Sequence, residues 1–269
     1  MRIAIDHRTQ YRFSKPQARI VQLLRLTPCD TRDQTVVSWM VGVDCDARLR
    51  EGVDGLGNKV TMLYAEGPIE SLDITVTGEV LTSDTNGIVH GSVEPLSPIV
   101  YLRTTPRTTL GEGLPGFAED SVSGASDPLK RMHRLNAALH ARFPGTPDGP
   151  DTGVTAAEAF ESGKTTSRDV AQMFIAAARS LAVPARYVSG YRSDGATHCA
   201  PHAWAEACVE GLGWVGFDPV TGLSPDDSYV RVAVGLDAAG AASIAGTRVG
   251  LGVEKLDVDL HVDELGHEE

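Results

Sequence analysis

From Val170 to Leu181 a helix would leave water almost no face to wet. Val170, Met173, Phe174, Ala177, Ala178 and Leu181 fall at i, i+3, i+4, i+7, i+8 and i+11, and the other face carries Ala171, Ile175 and Ala176. Such a helix has to lie inside a core. Pro184 ends it, and short strand-like runs follow at 185–191, 202–209 and 213–218. An earlier helix opens at Ser126, Asp127 and Pro128 and carries Leu129, Met132, Leu135, Leu139 and Phe143 on one stripe, until Pro144 and Gly145 stop it. Helices packed on an antiparallel sheet are expected, an α+β class.

The first part of the chain has period two instead. Ile3 and Ile5, then Val37, Trp39, Val41 and Val43, then Leu72, Ile74, Val76 and Val80 alternate with polar or small residues, with turns marked by Gly55, Gly57 and Asn58. A total of 269 residues suits one to two domains. We therefore expect an all-β, sandwich-like N-terminal domain over 1–95 and a connecting segment over 96–125. Pro98, Pro106, Gly111, Gly113, Pro115 and Gly116 make that segment resist regular structure. The α+β core then fills 126–269, with a last alternating run at Leu256, Val258, Leu260 and Val262.

Charge narrows the partners. With 24 Lys and Arg against 36 Asp and Glu, the net charge of −12 has the wrong sign for holding nucleic acid. The first ten residues carry Arg2, Asp6, His7 and Arg8 and no apolar stretch, so neither a secretory signal nor a spanning helix is expected there, and no membrane partner. Cys29, Cys45, Cys199 and Cys208 form no C-x-x-C pair, which agrees with a reducing, cytoplasmic setting.

Three segments carry reactive side chains at element ends: Thr166-Ser167-Arg168-Asp169 at the start of the buried helix, His202 at a strand start, and Asp218 at a strand end. A helix N-terminus offers unpaired N–H groups and partial positive charge, suited to a nucleophile with an oxyanion site beside it. A histidine takes the nucleophile's proton and a carboxylate orients the histidine. Parity tests the pair. A two-residue hairpin loop at 211–212 sends His202 and Asp218 to opposite faces. A three-residue loop at 210–212 puts His202 opposite Val220 and makes Asp218 its same-face diagonal neighbour at roughly 7–8 Å.

These residues also carry a resemblance. Thr166-Ser167-Arg168-Asp169-Val170-Ala171-Gln172, Arg179 to Tyr191, His202-Ala203-Trp204-Ala205-Glu206 and Gly213-Trp214-Val215-Gly216-Phe217-Asp218-Pro219 resemble bacterial transglutaminase-like proteins. Tyr11-Arg12-Phe13, Leu24 to Pro28 and Asp54 to Asn58 are similar to the β-rich domain that precedes the core in that family. The resemblance implies a papain-like core acting on amide bonds of a peptide or protein through a Cys-His-Asp triad, without metal or cofactor. The family's cysteine falls at position 167, which is serine here, while His202 and Asp218 match the other two members. Arg168 and Leu236-Asp237-Ala238 also depart from the family pattern. A hydroxyl, unlike a thiol, must lose its proton to a base during attack. A catalytically silent protein that holds a peptide in the same cleft is therefore the alternative to an amide hydrolase or acyltransferase.

Plainer roles compete at each position. Ser167 at a helix start is ordinarily a cap, His202 a half-buried sheet residue, Asp218 before Pro219 a turn former, and Trp204 and Trp214 core residues. His198, Cys199, His202 and Cys208 make a poor zinc set, because an extended strand separates 198 from 202 by about 13 Å.

Overall fold

The computed structural model describes residues 1–143, 153–163, 165–193 and 201–265. Four strands open the chain, β1 (Arg2–Thr27), β2 (Gln34–Val43), β3 (Ala47–Val53) and β4 (Lys59–Thr82). The first and fourth are long and antiparallel to each other, and their register shifts between Arg12 and Arg19. On one side of the shift β4 pairs with β2, and on the other with β3. The two halves bury a common core, with Tyr11, Leu72, Ile74 and Val76 from one meeting Ile20, Leu24, Leu63 and Ala65 from the other. That is the sandwich-like β-rich region the alternation called for.

After two 3₁₀ turns at Pro98–Leu102 and Pro106–Thr108 come four helices, α1 (Gly113–Val122), α2 (Pro128–Arg142), α3 (Ala156–Ser162) and α4 (Ser167–Ser180). A four-stranded antiparallel sheet follows, built from β5 (Ala185–Arg192), β6 (His202–Val209), β7 (Gly213–Phe217) and β8 (Tyr229–Gly235) in the order β7-β6-β5-β8. In α4 only Arg168 and Ser180 escape burial. Ala203, Ala205 and Ala207 of β6 share its core cluster, and residues this small let helix and sheet approach closely.

Two boundaries differ from the sequence reading. The segment 96–125 is not wholly irregular: Leu114, Ala118 and Val122 line the buried side of α1, and their burial overrides the weak propensity of the surrounding glycines and proline. The last strands, β9 (Ile244–Val249) and β10 (Glu254–Glu264), leave the expected 126–269 unit and pair with β1 in the N-terminal sheet. Alternation reveals that a strand has one buried face, not which sheet will bury it. Leu260 and Val262 are buried, whereas Leu256 and Val258 of the same run are half exposed.

The N-terminal sheet covers the core sheet. Ile3, Ile5, Val80, Leu260 and Val262 pack with Tyr191, Val230 and Val232. Polar clamps close the edge of β8, whose free N–H and C=O groups would otherwise need partners. The Gln34 side chain donates to the Arg231 carbonyl (2.9 Å) and accepts from the Arg231 amide (2.8 Å). Asn58 does the same at Val234, at 2.8 Å in each direction.

Candidate active site

The hairpin between β6 and β7 takes the longer of the two loops. Val209 pairs with Gly213 and Ala205 with Phe217, leaving 210–212 as the connection. Gly211 and Gly213 both adopt a φ of +82°, the left-handed region that glycine enters without strain. This register puts Asp218 on the face that His202 occupies, and His202 Nε2 lies 2.8 Å from Asp218 Oδ2.

Asp218 is fully buried and takes two further donors. The Tyr229 hydroxyl donates to Oδ2 at 2.7 Å, and the Val220 amide donates to Oδ1 at 2.9 Å. Burial works to raise the carboxyl's pKa, but the hydrogen bond and charge of His202, the Tyr229 hydroxyl and the Val220 amide together hold it below the ordinary value. The Tyr229 phenol is pushed up, first by burial and then by the Asp218 charge, so it stays a neutral donor. Its ring stands edge-on to the His202 imidazole with centroids 5.8 Å apart, and Trp204 stacks along the imidazole at 6.3 Å. With Asp218 on Nε2, the nitrogen left facing outward from the pair is Nδ1.

Ser167 is the first residue of α4 and is buried. The cap is Thr166, whose hydroxyl accepts from the Asp169 amide, while the Asp169 carboxylate accepts from the Thr166 amide and hydroxyl at 3.0 and 2.9 Å. The plain role expected of Ser167 therefore belongs to its neighbour. Two contacts set the direction of α4 along the sheet. Arg179 donates to the carbonyl of Ala185, the residue paired with Ala207. Phe174 stacks on Phe217, the residue paired with Ala205, at 5.2 Å. Ser167 lies ~10 Å further toward the helix start, and His202 lies ~10 Å further toward the strand start. Both tips reach the same end of the sheet.

Their faces differ. Ala203, Ala205 and Ala207 look toward α4, whereas His202, Trp204 and Glu206 alternate onto the opposite face, where Trp204 packs with Val188, Tyr229 and Val234. A side chain at position 167 would have to approach the imidazole around the end of the sheet, not across it. The structure joins His202 to Asp218 and brings Ser167 to the same end.

Tyr229 and the strand that carries it were absent from the sequence reading. The signal was present in the alternating run Tyr229-Val230-Arg231-Val232-Ala233-Val234. Trp214 is a core residue, flanked by Tyr101 at 5.0 Å and by the Arg186 guanidinium 3.9 Å above its ring. Arg186, Glu206, Arg231 and Glu94 form a chain of ion pairs on the His202 face. His198 and Cys199 lie outside the described residues, and among those described no group of three His, Cys, Asp or Glu side chains could hold a metal.

Comparison with known proteins adds the following. Residues 3–81 match the bacterial transglutaminase-like N-terminal region, and residues 115–219 match the transglutaminase-like superfamily core. The uncharacterized protein ML0607 of Mycobacterium leprae is 26% identical over 284 residues, spanning 98% of this chain and 99% of that one. The uncharacterized protein Rv2569c of Mycobacterium tuberculosis is 23% identical over 301 residues, spanning 99% and 93%. Among solved structures, a candidate cysteine protease from Cytophaga hutchinsonii superposes with a TM-score of 0.79 at 20% identity, covering 100% of this chain and 92% of that one. It shares the α+β core and the N-terminal β-rich region.

Proposed function

Because this chain belongs to the transglutaminase-like superfamily, with the core at 115–219 and the bacterial N-terminal region at 3–81, we propose that it acts on amide carbonyls of peptide or protein substrates by nucleophilic acyl chemistry. Ser167 Oγ attacks the carbonyl carbon while His202 Nδ1 takes the hydroxyl proton, and Asp218 holds the imidazole in the tautomer that leaves Nδ1 free to accept. Backbone N–H groups at the start of α4 stabilise the tetrahedral oxyanion. The C–N bond breaks, the leaving amine receives the proton from His202, and an ester remains on Ser167. Water then gives hydrolysis and a second amine gives acyl transfer, either one returning the hydroxyl. This chemistry asks for no cofactor.

The observation that carries the reading is the buried His202–Asp218 contact of 2.8 Å, with the carboxylate held by two more donors. A second reading has its own support in the hydroxyl at position 167, which lacks the ready thiolate of a cysteine. On that reading the cleft binds a peptide without turning it over. One experiment separates them: the protein and a Ser167→Cys variant are assayed on a panel of activated esters and amides. Turnover by the variant that His202→Ala abolishes supports acyl chemistry. No turnover by either form, together with ordinary thiol reactivity at the new cysteine, supports the binding protein.

A further inference from the structure

Three arginines project from the face of the core sheet that carries His202. Arg186 on β5 and Arg231 on β8 are consumed by carboxylates: Arg186 pairs with Glu206 and Glu94 at 2.6 Å each, and Arg231 pairs with Glu206 at 2.7 Å. Among the described residues Arg192, at the end of β5, has no such partner. Among the described residues no carboxylate lies within 4.0 Å of its guanidinium, and its buried Nε makes no hydrogen bond. Its guanidinium carbon lies over the Tyr229 ring, 5.6 Å from the centroid.

The position matters. Arg192 pairs directly with Tyr229 across β5 and β8, and Gly190, two residues earlier, pairs with His202 across β5 and β6. Arg192 is therefore a same-face diagonal neighbour of the imidazole, roughly 7–8 Å away along the backbone. It stands beside the residue that donates to Asp218. A half-buried guanidinium left without a counter-charge carries a desolvation cost that an incoming anion removes, and its planar fork matches a carboxylate in two parallel hydrogen bonds.

Resting on the acyl-chemistry reading of this site, we infer that Arg192 is a substrate-binding residue that selects amides bearing a carboxylate close to the scissile bond. A single guanidinium in a chain of net charge −12 suits one carboxylate and not a polyanion. The carboxylate has two sources, an acidic side chain or a peptide's own C-terminus, and both present the same two oxygens.

Binding to the unaltered chain tests this without turnover, so its outcome is independent of the Ser167→Cys assay. Calorimetry compares an acetylated glutamine–glutamate dipeptide as the C-terminal acid, the same dipeptide as the C-terminal amide, and a glutamine–glutamine dipeptide amide. The dipeptide acid, joined by its amide where the side chain is the group read, is expected to bind at least about tenfold more tightly than the neutral peptide, and Arg192→Gln is expected to erase that difference. The first two peptides show which carboxylate is read. Should Arg192→Gln fail to fold, the salt dependence of the unaltered chain decides: added salt weakens the charged peptides and leaves the neutral one unchanged. Equal affinity for all three peptides, no binding of any, or a preference that persists in folded Arg192→Gln would overturn the proposal.

Discussion

Asp218 accepts three donors on two oxygens, and one of them is the Nε2–H of His202, 2.8 Å away across a hairpin whose three-residue loop sets both residues on one face. Only a group that purely accepts satisfies that set. In Asp218→Asn, an amide N–H₂ at the Oδ1 position faces the Val220 N–H, and at the Oδ2 position it drives His202 into its other tautomer and makes the Tyr229 hydroxyl accept instead of donate. We expect a loss of about 2 kcal/mol in denaturant unfolding, the cost of a buried donor left facing another donor. An unchanged midpoint would mean that the three contacts are not simultaneous.

Thr166→Ala removes the cap of α4 and one half of its reciprocal contact with Asp169. The expected cost is about 1 kcal/mol. Since Ser167 is the next residue, the fraying concentrates at the candidate nucleophile. In a Ser167→Cys background, alkylation of the new thiol should therefore lose its selectivity over the other cysteines, which peptide mapping reads directly.

Glu206 is the shared partner of two arginines. It is fully buried, and Arg186 beside it is 1% exposed. Burial acts to raise the Glu206 pKa, but the charges of Arg231 and Arg186 overcome it and hold it at about 2. Glu206→Gln takes the carboxylate from Arg231 and leaves the buried Arg186 with Glu94 alone. A loss of about 3–5 kcal/mol is expected in chemical denaturation, whereas an exposed ion pair would cost under about 1 kcal/mol.

His7 makes the interface between the two sheets acid-sensitive. Its Nδ1 lies 3.0 Å from the Tyr191 hydroxyl, and burial lowers its pKa from 6.5 to about 4 against the opposing pull of Asp6. The unfolded chain binds this proton as pH falls through 6.5, while the folded chain resists until about 4. Stability from this group is complete above the first value and is lost progressively toward the second, by up to about 3 kcal/mol. Thermal unfolding followed across that window should decline less steeply in His7→Gln than in the unaltered chain.

What was legible in the sequence followed from local pattern. The apolar periodicity of 170–181 gave α4, and alternation gave β5, β6 and β7 nearly to their ends. Parity reduced the His202–Asp218 question to two loop lengths, and the structure takes the one that joins them. What escaped depends on distant partners. The β8 strand pairs with β5 across some forty residues of chain, and β9 and β10 return to a sheet begun at residue 2. The cap at Thr166 could have been read, because Asp169 follows it by three positions in the pattern of a capping box. The burial of Asp218 beneath Tyr229 could not, since it requires β8 to be in place.

The account stands on residues 167 and 202 acting together at the end of the core sheet. Ser167→Cys, treated with p-nitrophenyl acetate and digested for mass spectrometry, tests this most directly. The account predicts one acetyl group per chain, located on residue 167 and lost when His202→Ala is added. Acetylation at another residue, or equal acetylation of residue 167 with and without the imidazole, would contradict it.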